Sequence, residues 1–158
     1  MKFSLDSTFE ILQTTPKVLK ALFGNVSENW INNNEGGNTW SPYQIVTHLI
    51  VCEKSLWMTR LKIILNNNKE AVFKMIDGRP LIANKSKTSI TKLIVEFEDL
   101  RNENFNMLRS YNINNDMLSL SAMHPHLGKI NLKQLISAWA VHDLNHLVFS
   151  VPPHGLHQ

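Results

Sequence analysis

Two histidines near the C-terminal end of the chain, His142 and His146, have the spacing of paired metal ligands. Residues four apart on an α-helix lie one above the other on the same face, because 3.6 residues make a turn. Both imidazoles can therefore bind one ion with little rearrangement. A third histidine, His48, lies on the apolar face of another predicted helix. If both faces point into the core, three imidazoles converge from two helices.

A set of three histidines leaves at least one coordination position open, a pattern typical of reactive rather than structural zinc sites. An ion held in this way polarises a bound substrate atom or lowers the pKa of a bound water or thiol. The competing interpretation is that each histidine is an ordinary residue bonded to a carbonyl oxygen. For a single histidine we would favour that interpretation, but an inward-facing pair with a third histidine favours the metal site.

Three further residues on the same two helices are weaker candidates. Cys52 lies one turn beyond His48, where it can serve as a fourth ligand or a reactive thiol. A lone cysteine on such a face is more often a small buried hydrophobic residue, and we favour that interpretation. Glu53 and Asp143 can accept hydrogen bonds that fix imidazole tautomers. Because each points about 100° or more around its helix from the candidate ligands, each can equally be solvated or paired with a cation.

Two other histidines and two tryptophans can border the site. His124 and His126 lie in a predicted loop before the last helix, where they can also simply be exposed. Trp40 precedes a predicted N-cap and has the position of a hydrophobic staple. Trp139 is large enough to line a pocket, but we favour a core position for it. No catalytic residue is assigned, and the candidates for a general base are Glu53, Asp143 and His124.

The composition is that of one globular domain spanning residues 1–158. The formal charge of +3 comes from lysines and arginines scattered without a run of five, so we expect no nucleic-acid partner. The single cysteine excludes an internal disulfide framework and is typical of a reducing compartment. Since neither a signal-peptide pattern nor a long apolar window occurs, we expect a cytoplasmic domain without a membrane partner.

Helical periodicity runs through most of the chain and predicts an all-α fold without strands. Ser41 and Gln44 form a predicted capping box, and Asn131 is the predicted N-cap of the last helix. Pro16 is expected to kink or split the first helix, and the segment 69–87 is expected to be an irregular crossover. Four long amphipathic helices predict a four-helix bundle. Their approximate ranges are 6–23, 42–65, 89–111 and 132–150.

Four motifs occur in order along the chain. They are Trp40-Ser41-Pro42; Val46-Thr47-His48-Leu49 followed by Glu53; His124-Pro125-x-Leu127-Gly128-x-Ile130-x-Leu132-x-Gln134-Leu135; and Trp139-x-x-His142-Asp143-Leu144-x-His146. Together they resemble the DinB-like superfamily, which includes the YfiT-like metal-dependent hydrolases. The similarity spans about Trp40 to Leu147, and the last motif is its most specific part.

The resemblance implies an up-down-down-up bundle with a long crossover between helices two and three. It implies a divalent metal, zinc, nickel or iron, bound by histidines that map onto His48, His142 and His146. Homodimers are common in the superfamily. Where an activity is defined, it is often transfer or isomerisation with a low-molecular-weight thiol such as bacillithiol or mycothiol.

Three hypotheses about function follow. The first is a metal-dependent enzyme that activates a thiol or water for transfer or hydrolysis on a small molecule. The second is a non-catalytic, stress-related metal-binding bundle that acts through a partner. A closed fourth position, for example Cys52 on the ion, would favour the second, and an open position the first. The third is a metal-free bundle with buried histidines.

Overall fold

The computed structural model of the protein describes residues 3–34, 36, 39–66, 71–75 and 88–149. Helices α1, α5 and α7, together with the consecutive pair α3 and α4, form the four long arms of a helical bundle. The elements in chain order are α1 (Leu5–Phe23), α2 (Glu28–Asn32), α3 (Pro42–Ser55), α4 (Trp57–Leu65), α5 (Ile90–Ser110), α6 (Asn115–Ser119), β1 (Ser121–His124), β2 (Gly128–Asn131) and α7 (Leu132–Phe149).

Contacts near both ends of α3 show that it runs parallel to α5. The Tyr43 hydroxyl donates a hydrogen bond to the Thr88 carbonyl oxygen at 3.2 Å. Further along both helices, the Asn104 side chain donates to the Glu53 carbonyl oxygen at 2.9 Å. The residue numbers rise together on the two helices, so the second and third arms of the bundle point in the same direction.

The other two arms run in the opposite direction. On α1, Phe9 packs edge-on against Phe105 of α5, with ring centroids 5.2 Å apart, whereas the later Leu12 contacts the earlier Arg101. Residue numbers also run in opposite directions along the contacting faces of α3 and α7, as the histidine contacts described below show. The bundle is therefore up-down-down-up, which confirms the fold implied by the resemblance. Most of the predicted crossover 69–87 lies outside the described residues.

The ends of the long helices agree closely with the predicted ranges. Ser41 and Gln44 form the predicted capping box, and the Asn131 side chain accepts a hydrogen bond from the Gln134 amide at 2.8 Å. One detail differs: the second predicted helix is interrupted at Leu56, where φ is −103° and ψ −67°. Of the two alternatives for Pro16, the split is excluded, because α1 continues on both sides of it.

The predicted helical class is confirmed, but the expectation that the chain contains no strands was wrong. β1 and β2 form an antiparallel hairpin before α7, and Gly128 has the positive φ of 73° that its turn requires. The backbone of Met123 also bonds with Ala71 and Phe73 at 2.9 and 2.8 Å. Each strand has four residues, too few for an alternating pattern to stand out from the surrounding chain.

Arg101 supplies a hydrogen bond that α1 lacks because of Pro16. A proline has no amide hydrogen, so it cannot donate to the carbonyl four residues earlier, which is that of Leu12. The Arg101 guanidinium from α5 donates to this oxygen at 2.8 Å. Arg101 is 1% exposed, and it lies over the rings of Phe97 and Trp139 at 4.8 and 5.3 Å. The buried apolar side chains of the core form two clusters, one containing Trp139 and the other Phe97. Arg101 therefore lies between the two clusters.

The same guanidinium pairs with two buried carboxylates. It donates to Glu53 of α3 at 2.8 Å and to Asp143 of α7 at 2.6 Å. Burial alone would lower the pKa of Arg101, but the two carboxylates outweigh this effect and raise it. The carboxylates accept further hydrogen bonds: Asp143 accepts from the Thr15 hydroxyl, and Glu53 accepts from the side chains of Asn104 and Trp139. One cation thus links all four arms of the bundle.

Replacing Arg101 by Met should destabilise the protein severely. The substitution leaves two buried carboxylates without their cation, which costs about 3–5 kcal/mol of unfolding free energy. The matched control is Lys54→Met, which breaks the exposed Lys54–Glu96 pair and should cost no more than about 1 kcal/mol. Urea denaturation of both variants measures the difference. Equal, small losses would contradict the structural role of Arg101.

Candidate metal centre

Helices α3 and α7 bring the three predicted histidines together. One ring nitrogen from each of His48, His142 and His146 lies within 4.8 Å of the others, and all three side chains are partly buried. The Nε2 atoms of His48 and His142 are 3.1 Å apart. The i, i+4 pair on α7 therefore faces the single histidine of α3, as the spacing predicts. That the three side chains bind a metal stays a prediction.

The separation of the ring nitrogens suits a shared transition-metal ion. Two nitrogens bound to one tetrahedral zinc ion, each at roughly 2.0–2.1 Å, lie about 3.3 Å apart. The His48–His142 distance of 3.1 Å is close to this value. The Nδ1 atoms of both rings are buried and have no hydrogen-bond partner within the described part of the chain. The donor set and its spacing thus fit a divalent ion.

The protein environment keeps two of these imidazoles unprotonated. Burial, followed by the neighbouring His142, lowers the pKa of His48 to about 4. Burial and the two nearby histidines lower the pKa of His146 to about 3, against a smaller opposing effect of Asp143. Neutral imidazole is the form that binds metal ions. At neutral pH, protons therefore compete little for His48 and His146.

Tryptophan rings flank the cluster on two sides. Trp40 stacks on His146, with ring centroids 5.7 Å apart and an interplanar angle of 7°, and it also contacts His48. The rings of Trp57 on α4 and His142 form a T-shaped contact, with their centroids 5.2 Å apart. Trp57 also stacks on Trp139. Trp139 is 1% exposed, which confirms its core position. Sequence analysis did not single out Trp57, although its apolar helix face was a signal.

Cys52 is both buried, as favoured, and next to the cluster. Its Sγ lies 3.5 Å from Nε2 of His48 and 3.9 Å from Nε2 of His142. Burial and the charges of Glu53 and Asp143 raise the pKa of the thiol to about 12, against a weaker effect of Arg60. Without a bound cation the group is therefore a neutral thiol.

Glu53 and Asp143 are paired with Arg101 and shielded from solvent. They are 3% and 0% exposed, so of the two alternatives left open for them, pairing with a cation is the one observed. Burial alone would raise the pKa of Asp143. The neighbouring His142, Arg101 and Thr15 hydroxyl together outweigh this effect and lower it. Asp143 Oδ1 is 3.9 Å from Nδ1 of His142, close enough to influence the ring electrostatically and too far for a hydrogen bond.

The hairpin contains the other two histidines. Nδ1 of His124 accepts from the backbone amides of His126 and Leu127 at 3.2 and 3.3 Å, so this ring closes the turn. It also contacts Phe73 edge-on, and the guanidinium of Arg60 lies over the same phenyl ring at 5.1 Å. His126 is exposed. The contacts of His124 are those of a residue that shapes the hairpin.

Fold and site together define a four-helix bundle with a candidate three-histidine metal centre. The family model described as the DinB superfamily matches residues 11–149, and the chain belongs to that superfamily. No protein with a curated description matches the sequence. No helix within the described ranges is long and apolar enough to cross a membrane.

The fold is similar to that of known structures, among them YfiT and TT2238. YfiT from Bacillus subtilis, described as a probable metal-dependent hydrolase with an unusual four-helix bundle topology, superposes with a TM-score of 0.78 at 19% identity, covering 94% of this chain and 86% of YfiT. TT2238, described as a four-helix bundle protein, has a TM-score of 0.57 at 16% identity, with 92% and 96% coverage. At these identities the likeness shows the fold alone.

The lowered pKa of His146 predicts how the metal-free protein responds to acid. The unfolded chain takes up a proton on this residue near pH 6.5, whereas the folded protein does so only near pH 3. The unfolded state therefore binds more protons in this window, and the unfolding free energy falls as the pH falls through it. We expect the fall to be shallower for His146→Gln than for the wild type and for the control His126→Gln, which removes an exposed histidine. Urea titrations in EDTA between these pH values measure the slopes, and identical slopes for all three proteins would contradict the prediction.

Proposed function

We propose that this protein is a metal-dependent enzyme acting on a small molecule, with His48, His142 and His146 holding a divalent transition-metal ion. The observation that carries the proposal is the convergence of three ring nitrogens from α3 and α7 within 4.8 Å. Membership of the DinB superfamily and the description of YfiT as a probable metal-dependent hydrolase support it. Three imidazole ligands suit zinc or nickel, and also iron.

A bound divalent ion would supply Lewis-acid chemistry, by polarising a substrate oxygen or lowering the pKa of a bound water or thiol. The residues of the chain hold and shield the reacting groups. His142 keeps 22% of its side chain exposed, so a small molecule can reach the cluster from solvent. Trp40 and Trp57 cover the imidazoles and restrict access of bulk water.

The nucleophile in this proposal is water, for hydrolysis, or a low-molecular-weight thiol, for transfer. Two of the three candidate general bases, Glu53 and Asp143, are buried and paired with Arg101. Neither can take a proton from a substrate without breaking the network that links the helices. Activation at the ion is therefore the route that the side chains favour.

Elemental analysis of protein purified without an affinity tag tests the ligand assignment. We expect about one equivalent of a transition metal per chain in the wild type and loss of stoichiometric metal in His146→Ala, because two imidazoles hold an ion far more weakly than three. The matched control is His126→Ala, which removes an exposed histidine and should retain the metal. Full metal content in His146→Ala, or none in any sample after reconstitution, would overturn the proposal.

Turnover by the metal-loaded protein tests the enzymatic part. The substrates are a panel of small esters and amides, and electrophiles paired with a low-molecular-weight thiol such as bacillithiol or mycothiol. Activity that is present in the wild type and in His126→Ala but lost in His146→Ala supports the proposal. Full metal loading without turnover of any class would favour the non-catalytic bundle that acts through a partner.

A further inference from the structure

The candidate metal centre is built from two i, i+4 pairs that face each other. His142 and His146 form the pair on α7, and His48 and Cys52 form a matching pair on α3. Because α3 and α7 are antiparallel, the second member of the α3 pair lies beside the first member of the α7 pair. Cys52 Sγ is accordingly near His142 as well as near its own helix neighbour His48.

The distances from Cys52 to two of the three histidines, His48 and His142, are close to those between ligands of one ion. A sulfur bound to zinc at roughly 2.3 Å and a nitrogen at roughly 2.0–2.1 Å lie about 3.5 Å apart in a tetrahedral site. The observed distances are 3.5 Å to His48 and 3.9 Å to His142. A thiol can donate to one imidazole and accept from the ring N–H of the other, so hydrogen bonds alone account for either contact. A shared ion accounts for both contacts together with the 3.1 Å between the Nε2 atoms of the two imidazoles.

The formal charge of the site is also compatible with a thiolate on the ion. The network beside the cluster contains one cation, Arg101, and two anions, Glu53 and Asp143, so its formal charge is −1. A divalent ion with one thiolate contributes +1 and brings the sum to zero. With a neutral thiol the sum is +1, which a hydroxide on the ion or solvent beside the 22% exposed His142 would have to offset.

We infer that Cys52 is a fourth ligand, so that the resting ion is held by three imidazoles and one thiolate. This inference rests on the proposed function, because it requires an ion at the histidines. Its consequence is that the resting site is closed, which by itself favours the non-catalytic bundle. The proposed enzyme therefore also requires that a substrate atom enters by expansion to five ligands or by displacement of the thiolate.

Cobalt(II) in place of the native metal tests the inference. A thiolate bound to cobalt gives a near-ultraviolet charge-transfer band, whereas imidazole ligands give only the weaker visible bands. Cys52 is the single cysteine of the chain, so in a thiol-free reductant such a band can come only from this residue. We expect the band in the wild type. In Cys52→Ser we expect it to vanish, with the visible bands retained and the cobalt affinity lowered more than about tenfold.

The outcomes separate this inference from the proposed function. Cobalt binding with visible bands but without the charge-transfer band in the wild type would overturn the role of Cys52 and leave the three-histidine site intact. No cobalt binding by the wild type would overturn the proposed site itself. The wild-type spectrum is decisive without the variant, so the test does not depend on whether Cys52→Ser folds.

Discussion

The buried guanidinium of Arg101 is the interaction on which the arrangement of the helices depends. It belongs to α5, and it binds a backbone carbonyl of α1 and carboxylates of α3 and α7. Each of these charged groups would cost several kcal/mol if it were buried without a partner. Any packing that displaces one helix breaks a bond to this group, so the network selects one register for all four arms of the bundle.

The histidine cluster takes its geometry from that register. Glu53 lies on α3 shortly after His48, and Asp143 directly follows His142 on α7. With Arg101 binding both carboxylates, the two imidazoles come within 3.1 Å of each other. A slip of one helix by a single turn, about 5.4 Å, would place them out of reach of a shared ion. The carboxylates that seemed candidates for chemistry thus act on the site by holding its helices in place.

Several features could be read from local sequence because their causes are local. Capping residues, apolar periodicity and i, i+4 spacing depend on neighbours within a turn or two, so the long helices and the pair His142 and His146 were predictable. Arg101 also left a signal, since it interrupts the apolar stripe that carries Phe97 and Phe105. The hairpin and the break at Leu56 left none, because four-residue strands and a single kinked residue are shorter than any periodic pattern.

Local sequence patterns were sufficient to predict the helical class, the ends of the long helices and the three histidines that face one another. The buried cation shared by Glu53 and Asp143, and the position of Cys52 Sγ near two imidazoles, could be seen only in the folded bundle. These contacts join residues far apart in the chain. Their existence depends on helix direction and register, which follow from the packing of the whole bundle and the pairing of its buried charges.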